Sequence, residues 1–273
     1  PNSNTPLFFA HYKLPQGTSI NEVNADLEQV EEWLVARDDV VSVTTFIGQG
    51  ADRFMLTYQG QRPNPSYGHL IIRTNAIEDI PALRADLDAI GRNNFPGGEF
   101  RTERLVFGPG GGAPIEVRFS GSDPAVLRAL ASEAKNVMQA SSNSLLHVRT
   151  NWREQELILE PSYAEDRAQA AGISRDDVAV ALRRGSEGIR GGIYREGDRQ
   201  IPIMLRVAED ANIALIDQVV FSESSGAFVP LEQVINGLGV STSNTLYHRR
   251  DRLPTLTVQA DIPPEFTAAT VHA

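Results

Sequence analysis

The sequence predicts an α+β fold made of two ferredoxin-like units, with a smaller α+β unit inserted into the second. Residues 7–107 read as strand, helix, strand, strand, helix, strand, which is the split βαβ order. The run GPGGGAP at 108–114 reads as a linker, because consecutive glycines inside an element would cost too much backbone entropy. After the linker a strand, a helix and a strand recur at nearly the same spacing, which hints at an internal duplication.

The first strand and helix carry the clearest local signals. Residues 7–14, LFFAHYKL, are aromatic-rich and partly alternating, and Pro15 and Gly17 end the strand. The helix begins at a capping box, SINE at 19–22, in which the serine and the glutamate satisfy free N–H groups. Apolar residues then recur along one face at three- and four-residue steps: Ile20, Val23, Leu27, Val30 and Leu34.

The other elements of the first unit follow in order. Residues 40–46 and 68–72 predict strands, 80–92 a helix, and the region near 100–107 a final strand. Between the first two of these strands, the glycine-rich stretch TFIGQGADRF at 45–54 predicts a loop. After it, FMLTY at 54–58 predicts an extra hairpin strand.

The second half restarts the pattern and then interrupts it. Strands are predicted at 115–119 and 145–149, with a helix beginning near Asp123 between them. Two short helices follow within 163–184, the second capped by Ser174 with Asp177, and then a hairpin over 192–203. Further β-like stretches run from Val219 through the 240s.

A strand recurs only at 253–260, followed by a turn and the start of a helix. We therefore predict three subdomains. They are 1–108, then 113–161 with 251–273, which is incomplete, and an inserted α+β subdomain at 162–250.

Composition excludes several classes of protein. The net charge of −10 argues against nucleic acid or an anionic lipid surface as the main partner. With no cysteine, the chain has no disulfide, zinc-thiolate site or thiol nucleophile, which fits an oxidising compartment. No apolar run reaches the roughly 18 residues of a membrane helix. The chain starts at Pro1 without a signal segment, so we expect a piece of a longer protein.

The glycines of the loop at 45–54 do not form the pattern of a phosphate cradle. Gly48 and Gly50 lack the third glycine of a dinucleotide fingerprint, and no Gly-Lys-Ser/Thr follows. The loop also joins a strand to a strand, whereas phosphate cradles use the N-terminus of a following helix. A nucleotide site is therefore disfavoured, and an ordinary hairpin loop and a mobile functional loop both remain open.

Signals for catalysis or metal binding are weak, so we predict no enzyme, no cofactor and no metal site. The histidines lack ligand spacing: His11, His69, His147, His248 and His272. The methionines are sparse: Met55, Met138 and Met204. A Gly-x-Ser-x-Gly motif is absent, and no carboxylate pair stands out as acid and base.

For two groups of polar residues, the sequence leaves two interpretations open. The basic run HRRDR at 248–252 is either an anion site or a solvated strand end with local ion pairs. Arg149, Asn151 and Trp152 follow a buried-looking strand. They either line a cleft between the two ferredoxin-like units or pack at an edge through their apolar parts.

Taken together, the segments resemble the second large periplasmic loop of a resistance-nodulation-division (RND) efflux transporter of the hydrophobe/amphiphile, or multidrug, branch. The motifs lie in the expected order over essentially the whole chain: LPQGTS at 14–19, VSV at 41–43, FIGQG at 46–50, AGIS at 171–174 with Asp177 and Val178, YREGD at 194–198, FVPL at 228–231 and RRDR at 249–252. None is decisive alone, but the ordered set is specific.

The resemblance implies two porter subdomains, at 1–108 and at 113–161 with 251–273, and a docking subdomain at 162–250. Substrate would enter the cleft between the porter subdomains. Its outer pocket would be lined by Phe9, His11, Arg149 and Asn151. A switch loop would separate this pocket from a deeper one, with residues Phe46, Gly48, Gln49, Gly50, Asp52, Arg53 and Phe54. The polar members of the loop favour amphiphiles with polar or charged heads.

The same resemblance implies partners and a location. In such transporters this portion is periplasmic, within an inner-membrane protein of a Gram-negative bacterium, and works as a homotrimer. Its partners are a periplasmic membrane-fusion adaptor and an outer-membrane channel. Proton antiport is carried by acidic residues of membrane helices, which would lie before Pro1 and beyond Ala273.

Two rival classes stay open. A stand-alone solute-binding module would use the same cleft and have a signal peptide without membrane helices. An RND-type exporter of lipid, metal or protein would have the helices but other adaptor partners. The metal branch is disfavoured here because it relies on a methionine cluster.

Overall fold

The computed structural model describes residues 3–55, 58, 60–105, 112–141, 145–206, 215–222, 224–263 and 266–272. The chain divides into two units, one formed by Pro1–Glu156 with Ser243–Ala273 and the other by Leu157–Thr242. The predicted α+β class is confirmed, because antiparallel sheets and packed helices make up both units. Most of the linker predicted at 108–114 lies outside the described residues.

The elements, in chain order, lie close to their predicted places. The helices are α1 (Ile20–Val35), α2 (Ile80–Asn94), α3 (Pro124–Ser141), α4 (Glu165–Ala170), α5 (Arg175–Ser186), α6 (Leu231–Val234) and α7 (Ala268–His272). The strands are β1 (Leu7–Lys13), β2 (Val40–Ile47), β3 (Tyr67–Thr74), β4 (Glu99–Arg104), β5 (Ile115–Ser120), β6 (Leu146–Thr150), β7 (Glu156–Tyr163), β8 (Ile189–Glu196), β9 (Arg199–Leu205), β10 (Val219–Phe221), β11 (Phe228–Pro230), β12 (Ile235–Ser243), β13 (Arg249–Arg250) and β14 (Leu253–Asp261).

The first sheet has the ferredoxin-like strand order β2-β3-β1-β4, with antiparallel pairing throughout. Helix α1 starts where predicted, since the Ser19 side chain accepts a hydrogen bond from the backbone N–H of Asn21. Its predicted apolar face, apart from Ile20, is buried against the sheet, with Leu27 and Leu34 fully enclosed. The split βαβ prediction is therefore confirmed for this sheet.

Strand β1 is central and covered on both faces. Phe8, Ala10 and Tyr12 belong to the core formed with α1 and α2. Because side chains alternate along a strand, Phe9 and His11 point to the opposite face. That face is also covered, and both residues are at most 3% exposed. The second layer over β1 builds the site described below.

The second sheet repeats part of this order. Strand β14 pairs with β5 on one side and β6 on the other. The short strand β13 precedes β14 and pairs with its first residues. Helix α3 packs on the sheet through Leu127, Ala131 and Met138. The core also encloses Trp152, whose Nε1–H donates to the Thr255 carbonyl at 2.9 Å.

The unit at Leu157–Thr242 has its own small core around Ala168, Val178 and Leu231. The predicted cap of α5 is confirmed as a capping box: Ser174 Oγ accepts from the Asp177 N–H, and Asp177 accepts from the Ser174 N–H. The predicted hairpin is also confirmed as β8 and β9, which turn at Gly197 with φ of +60°.

One sequence prediction is corrected, and one strand was not predicted. The hairpin strand predicted over 54–58 is wrong, since the described residues there lie outside any strand. Phe54 and Tyr58 instead pack their rings on Phe9, so apolar packing and not strand pairing explains the pattern. Strand β7 was missed, because its side chains are mostly exposed and it pairs with the distant β12.

The basic run at 248–252 is a tight turn between β13 and β14. Asp251 and Arg252 both have positive φ, at 50° and 68°, as a two-residue hairpin turn of the primed type requires. All five side chains are exposed, which favours the solvated strand end over an anion site. None of the helices formed by the described residues has the length and hydrophobicity of a bilayer-crossing segment.

Candidate functional site

Aromatic and imidazole rings gather on the face of the first sheet that is turned away from α1 and α2. We call this group the ring cluster: Phe9, His11, Phe46, Phe54, Tyr58, Tyr67 and His69. His69 is its centre, with the His11 ring stacked at 4.9 Å and the Phe9 ring at 5.5 Å. The strand register explains this, because β1 and β3 place His11 directly opposite His69.

The segment after β2 folds over the ring cluster and returns to β3. It starts at Gly48, whose φ of +74° is open to glycine and strained for other residues. The Gly48 N–H donates to the Tyr67 carbonyl at 2.8 Å, and the Asn64 N–H donates to the Gly48 carbonyl at 2.8 Å. Gly50 lies so close to Gln61 that an added Cβ would be 2.8 Å from the Gln61 nitrogen. The segment is thus a closed loop pressed against itself.

The loop buries one side and exposes the other. Ala51 and Tyr58 are buried against Phe9, whereas Gln49, Asp52 and Arg53 are exposed. The Arg53 Nε–H donates to the Met55 carbonyl at 3.4 Å. Phe54 is 52% exposed, yet its ring meets Phe9 at 6.2 Å and Tyr58 at 4.9 Å. Phe54 therefore stands at the edge of the cluster, between the buried rings and solvent.

A polar chain runs beneath the rings from Tyr67 to β4. The Tyr67 hydroxyl lies 2.7 Å from His11 Nδ1, and His11 Nε2 faces Glu103 Oε1 at 3.1 Å. Glu103 also accepts from Arg101 at 2.5 Å. Burial lowers the pKa of His11, partly offset by Glu103. Burial would raise the pKa of Glu103, but His11 and Arg101 together hold it well below its usual value.

His69 connects the sheet to the loop. Its Nδ1 accepts from the Ala51 N–H at 3.3 Å and lies 3.5 Å from the Tyr58 hydroxyl. Burial, followed by the neighbouring His11, lowers the pKa of His69 to about 3. The ring is therefore neutral at ordinary pH, and Nδ1 is free to act as an acceptor.

The four residues expected to line an outer pocket fall into two places. Phe9 and His11 lie beneath the loop within the ring cluster. Arg149, on β6, makes a two-pronged ion pair with Asp261 at 2.8 and 3.1 Å. Asn151 is bonded to the β14 backbone, since its Oδ1 accepts from the Thr257 N–H at 2.8 Å. Phe9 and His11 thus lie together in the ring cluster. Arg149 and Asn151 lie close to each other in the chain, and both are bonded to β14.

Within the first unit, a cavity of about 220 Å³ lies between the β1 end and the segment after β6. Its charged lining residues are Lys13, Glu99, Arg153 and Glu154. Arg153 donates to the Leu14 carbonyl at 2.8 Å, which ties the two ferredoxin-like sheets together. Burial lowers the pKa of the Lys13 ammonium, and Glu99 partly offsets this.

Sequence reasoning missed several of these groups. His69, Tyr67 and Glu103 carried no motif, and they join the cluster only through the pairing of β1 with β3 and β4. The one sequence signal was His69 itself, a second histidine on a predicted strand. The pairing of β1 with β3 then places it on the same face of the sheet as His11. Lys13 and Arg153 gave no signal, because their proximity depends on how two sheets pack.

The described residues offer no obvious metal centre. No group of three His, Asp or Glu side chains among them is placed to hold a metal ion. Met55 packs beside the ring cluster, Met138 lies in the core under α3, and Met204 is exposed on β9. Within the described part of the chain, the sulfur atoms thus occupy three separate environments.

Comparison with known proteins gives a consistent assignment. The model of the AcrB/AcrD/AcrF family matches residues 1–273. Among solved structures, two crystal forms of a heavy metal efflux pump are similar, with TM-scores of 0.74 and 0.73 at 15% identity. They cover 99% and 98% of this chain, which spans 28% of each of theirs.

No curated protein sequence matches the chain. The structural likeness, at this low identity, shows the fold, and the family model covers the same residues end to end. The structural likeness agrees with the mixed helix-and-sheet fold described above. The chain therefore belongs to the AcrB/AcrD/AcrF family of the resistance-nodulation-division superfamily.

Proposed function

We propose that the chain is the periplasmic substrate-capturing and docking portion of a proton-driven RND efflux transporter in a Gram-negative inner membrane. Porter subdomains at 1–108 and at 113–161 with 251–273 capture an amphiphilic small molecule between them. The substrate then passes the loop at Gly48–Phe54. Family membership supports this role, and no enzymatic step is part of it.

The observation that carries the proposal is the closed loop over the ring cluster. A gate needs a hinge, an apolar edge and something to cover. Gly48 supplies the hinge at positive φ, Phe54 the half-exposed edge, and Phe9 the covered surface. Each ring contact of Phe54 contributes about 1 kcal/mol, so a bound aromatic substrate can replace these contacts at little net cost.

The chemistry of the loop favours organic amphiphiles. Its exposed side carries Gln49, Asp52 and Arg53, and its buried side rests on aromatic rings. Such a surface contacts the polar head of a molecule with one side and its apolar part with the other. Arg149 on β6 and Asn151 just after it supply further polar groups for the same substrate class.

Heavy-metal export is the second candidate. It is favoured by the two similar structures, each described as a heavy metal efflux pump. A soft metal needs several sulfur or imidazole ligands that converge. The described methionines lie in separate places, and His11 and His69, although stacked, are not part of a group of three His, Asp or Glu placed to hold a metal among the described residues. We therefore place amphiphile export first.

Docking is assigned to residues 162–250. Hairpin β8–β9 within it exposes large apolar side chains, with Tyr194 56%, Met204 51% and Leu205 54% exposed. Exposed apolar patches of this kind mark protein interfaces. We propose that the subdomain meets an outer-membrane channel and a periplasmic adaptor in the assembled homotrimer.

The test uses the complete transporter in a host lacking other pumps. Phe54→Ala removes the edge of the loop and Arg149→Ala removes a polar group, so both should lower resistance to amphiphiles several-fold. Val35→Ala is the control, because this side chain is 65% exposed at the end of α1, away from the loop. Transporter abundance in the membrane is measured for every variant.

The outcomes separate the alternatives. If Phe54→Ala and Arg149→Ala both leave the export of every amphiphile unchanged, the pocket assignment is wrong. If the transporter protects cells against metal salts and not amphiphiles, metal export replaces the proposal. The flanking sequence gives an independent test, since an efflux transporter has membrane helices on both sides of this region.

A further inference from the structure

We propose that His69 is the positioning residue that holds the loop closed, through its Nδ1 atom. This inference rests on the proposed gating role of the loop for its functional meaning, but its structural content can be tested separately. The loop contains the expected switch residues from Gly48 to Phe54, and the remaining one, Phe46, lies on β2. His69 lies on β3 and belongs to none of the predicted sites.

The Nδ1 atom of His69 contacts two separate parts of the loop. The Ala51 N–H, three residues after the hinge, donates to it at 3.3 Å. The Tyr58 hydroxyl, on the returning part, lies at 3.5 Å. Ala51 and Tyr58 are both at most 5% exposed, so neither group has water as a ready substitute. One atom of the sheet thus satisfies buried groups from two parts of the loop.

The tautomer of His69 follows from these contacts. In a neutral imidazole one nitrogen accepts and the other carries the proton. Since Nδ1 accepts from a backbone N–H, the proton lies on Nε2, which is buried without a hydrogen-bond partner among the described residues. The polar contacts of His69 are therefore directed to the loop.

Ring packing fixes the imidazole in this orientation. Its neighbours come from every element around it: Phe9 and His11 from β1, Phe46 from β2, Tyr67 from β3 and Tyr58 from the loop. The charged groups that act on it are Glu103 and Arg101 of β4. Protonation at Nδ1 would replace the acceptor by a donor facing the Ala51 N–H, so the closed loop requires the neutral ring.

The experiment measures amide hydrogen exchange of the 48–55 segment in the 273-residue chain at neutral pH. His69→Phe keeps a ring in the cluster and removes the acceptor, so exchange should become faster on the order of ten-fold. His69→Asn restores an acceptor close to the Nδ1 position and should recover much of the protection. Exchange in α1 serves as the internal measure that each variant is folded.

Two further variants keep the test decisive. Tyr58→Phe removes the hydroxyl from the loop side while leaving His69 in place, and it should speed exchange in the same direction by a smaller factor. Tyr67→Phe is the matched control, because its hydroxyl bonds His11 and not the loop, so loop exchange should not change.

The inference is overturned if His69→Phe exchanges like the wild type, if Asn gives no recovery, or if Tyr67→Phe speeds exchange equally. None of these readings depends on transport. A failed export test with intact loop protection would therefore remove the proposed function and leave the structural role of His69 standing.

Discussion

At the residue scale, His11 and His69 form a buried pair of stacked imidazoles, with ring centroids 4.9 Å apart. Burial comes first among the causes that lower the pKa of both. A charged imidazole in this place would lose its hydration and face another ring of the same kind. Burial therefore favours the neutral form of both rings, and through His69 this links the closed loop to pH.

The sign of this dependence is fixed by the direction of the shift. The pKa of His69 falls from 6.5 in the unfolded chain to about 3 in the folded one. Between these values the unfolded state binds more protons, so acidification favours it. The stabilising effect is complete above pH 6.5 and is lost as the pH falls toward about 3.

We expect the unfolding free energy of the wild type to fall by a few kcal/mol between about pH 7 and pH 4. His69→Phe lacks the titrating ring and should show a flatter profile over the same window. Urea unfolding at several pH values measures both curves. Acidification also weakens the stabilising interactions of Glu103, which remains in both proteins, so the difference between the curves reports the loss of His69 and of its interaction with His11. Parallel curves would contradict the prediction.

At the element scale, short helices depend on their ends. Helix α5 has only 12 residues, and its capping box satisfies N–H groups that the first turn leaves free. The loop after β2 illustrates the opposite case, because its described residues between Gly48 and Asn64 belong to no strand and are held by single contacts, such as those of Gly48 and Ala51 to β3. A capped helix can be predicted from its sequence, whereas the conformation of a loop held by contacts to a distant strand cannot.

Ser174→Ala should destabilise the unit at Leu157–Thr242 by about 1 kcal/mol, since Oγ no longer accepts from the Asp177 N–H. Ser186→Ala in the same helix is the matched control, because its hydroxyl only returns to the Leu182 carbonyl at an exposed position. Urea unfolding followed by circular dichroism compares the two. Equal stability of both variants and the wild type would show that the cap contributes nothing.

At the scale of the whole molecule, the two units have separate cores. Leu256 and Val258 belong to the core under α3 in the first unit, and Leu231 and Val234 to the core of the second. Each core encloses side chains that are fully buried. Loss of packing in one should therefore act first on its own unit.

Leu231→Ala and Leu256→Ala should each cost roughly 2–5 kcal/mol, because both side chains are fully buried and leave cavities. We expect calorimetry to show two transitions, with each substitution lowering one of them. Leu157→Ala, at a side chain 71% exposed, is the control and should change neither by more than about 0.5 kcal/mol. A single transition shifted equally by both core variants would contradict separate cores.

The sequence was informative where a signal is local. The cap at Ser19, the capping box at Ser174, the hairpin turn at Gly197 and strand β1 all depend on neighbours within a few residues, and these features are present. The box expected at Ser19 is corrected to a simple cap, because the Ser19 side chain accepts from the Asn21 N–H and Glu22 does not complete the reciprocal bond. The sequence misled at 54–58, because the same apolar spacing suits a strand and a loop packed on rings. The roles given to Phe9, His11, Arg149, Asn151 and the loop stay predictions.

By itself, the sequence determined the fold class, the order of most elements and the family, because periodicity, caps and ordered motifs are properties of the chain. Only the tertiary structure decided which side chains meet. The register of β1 against β3 and β4 brought His69, Tyr67 and Glu103 to His11. The pairing of β6 with β14 gave Arg149 its partner Asp261. Both depend on contacts between residues far apart in sequence, which no local pattern specifies.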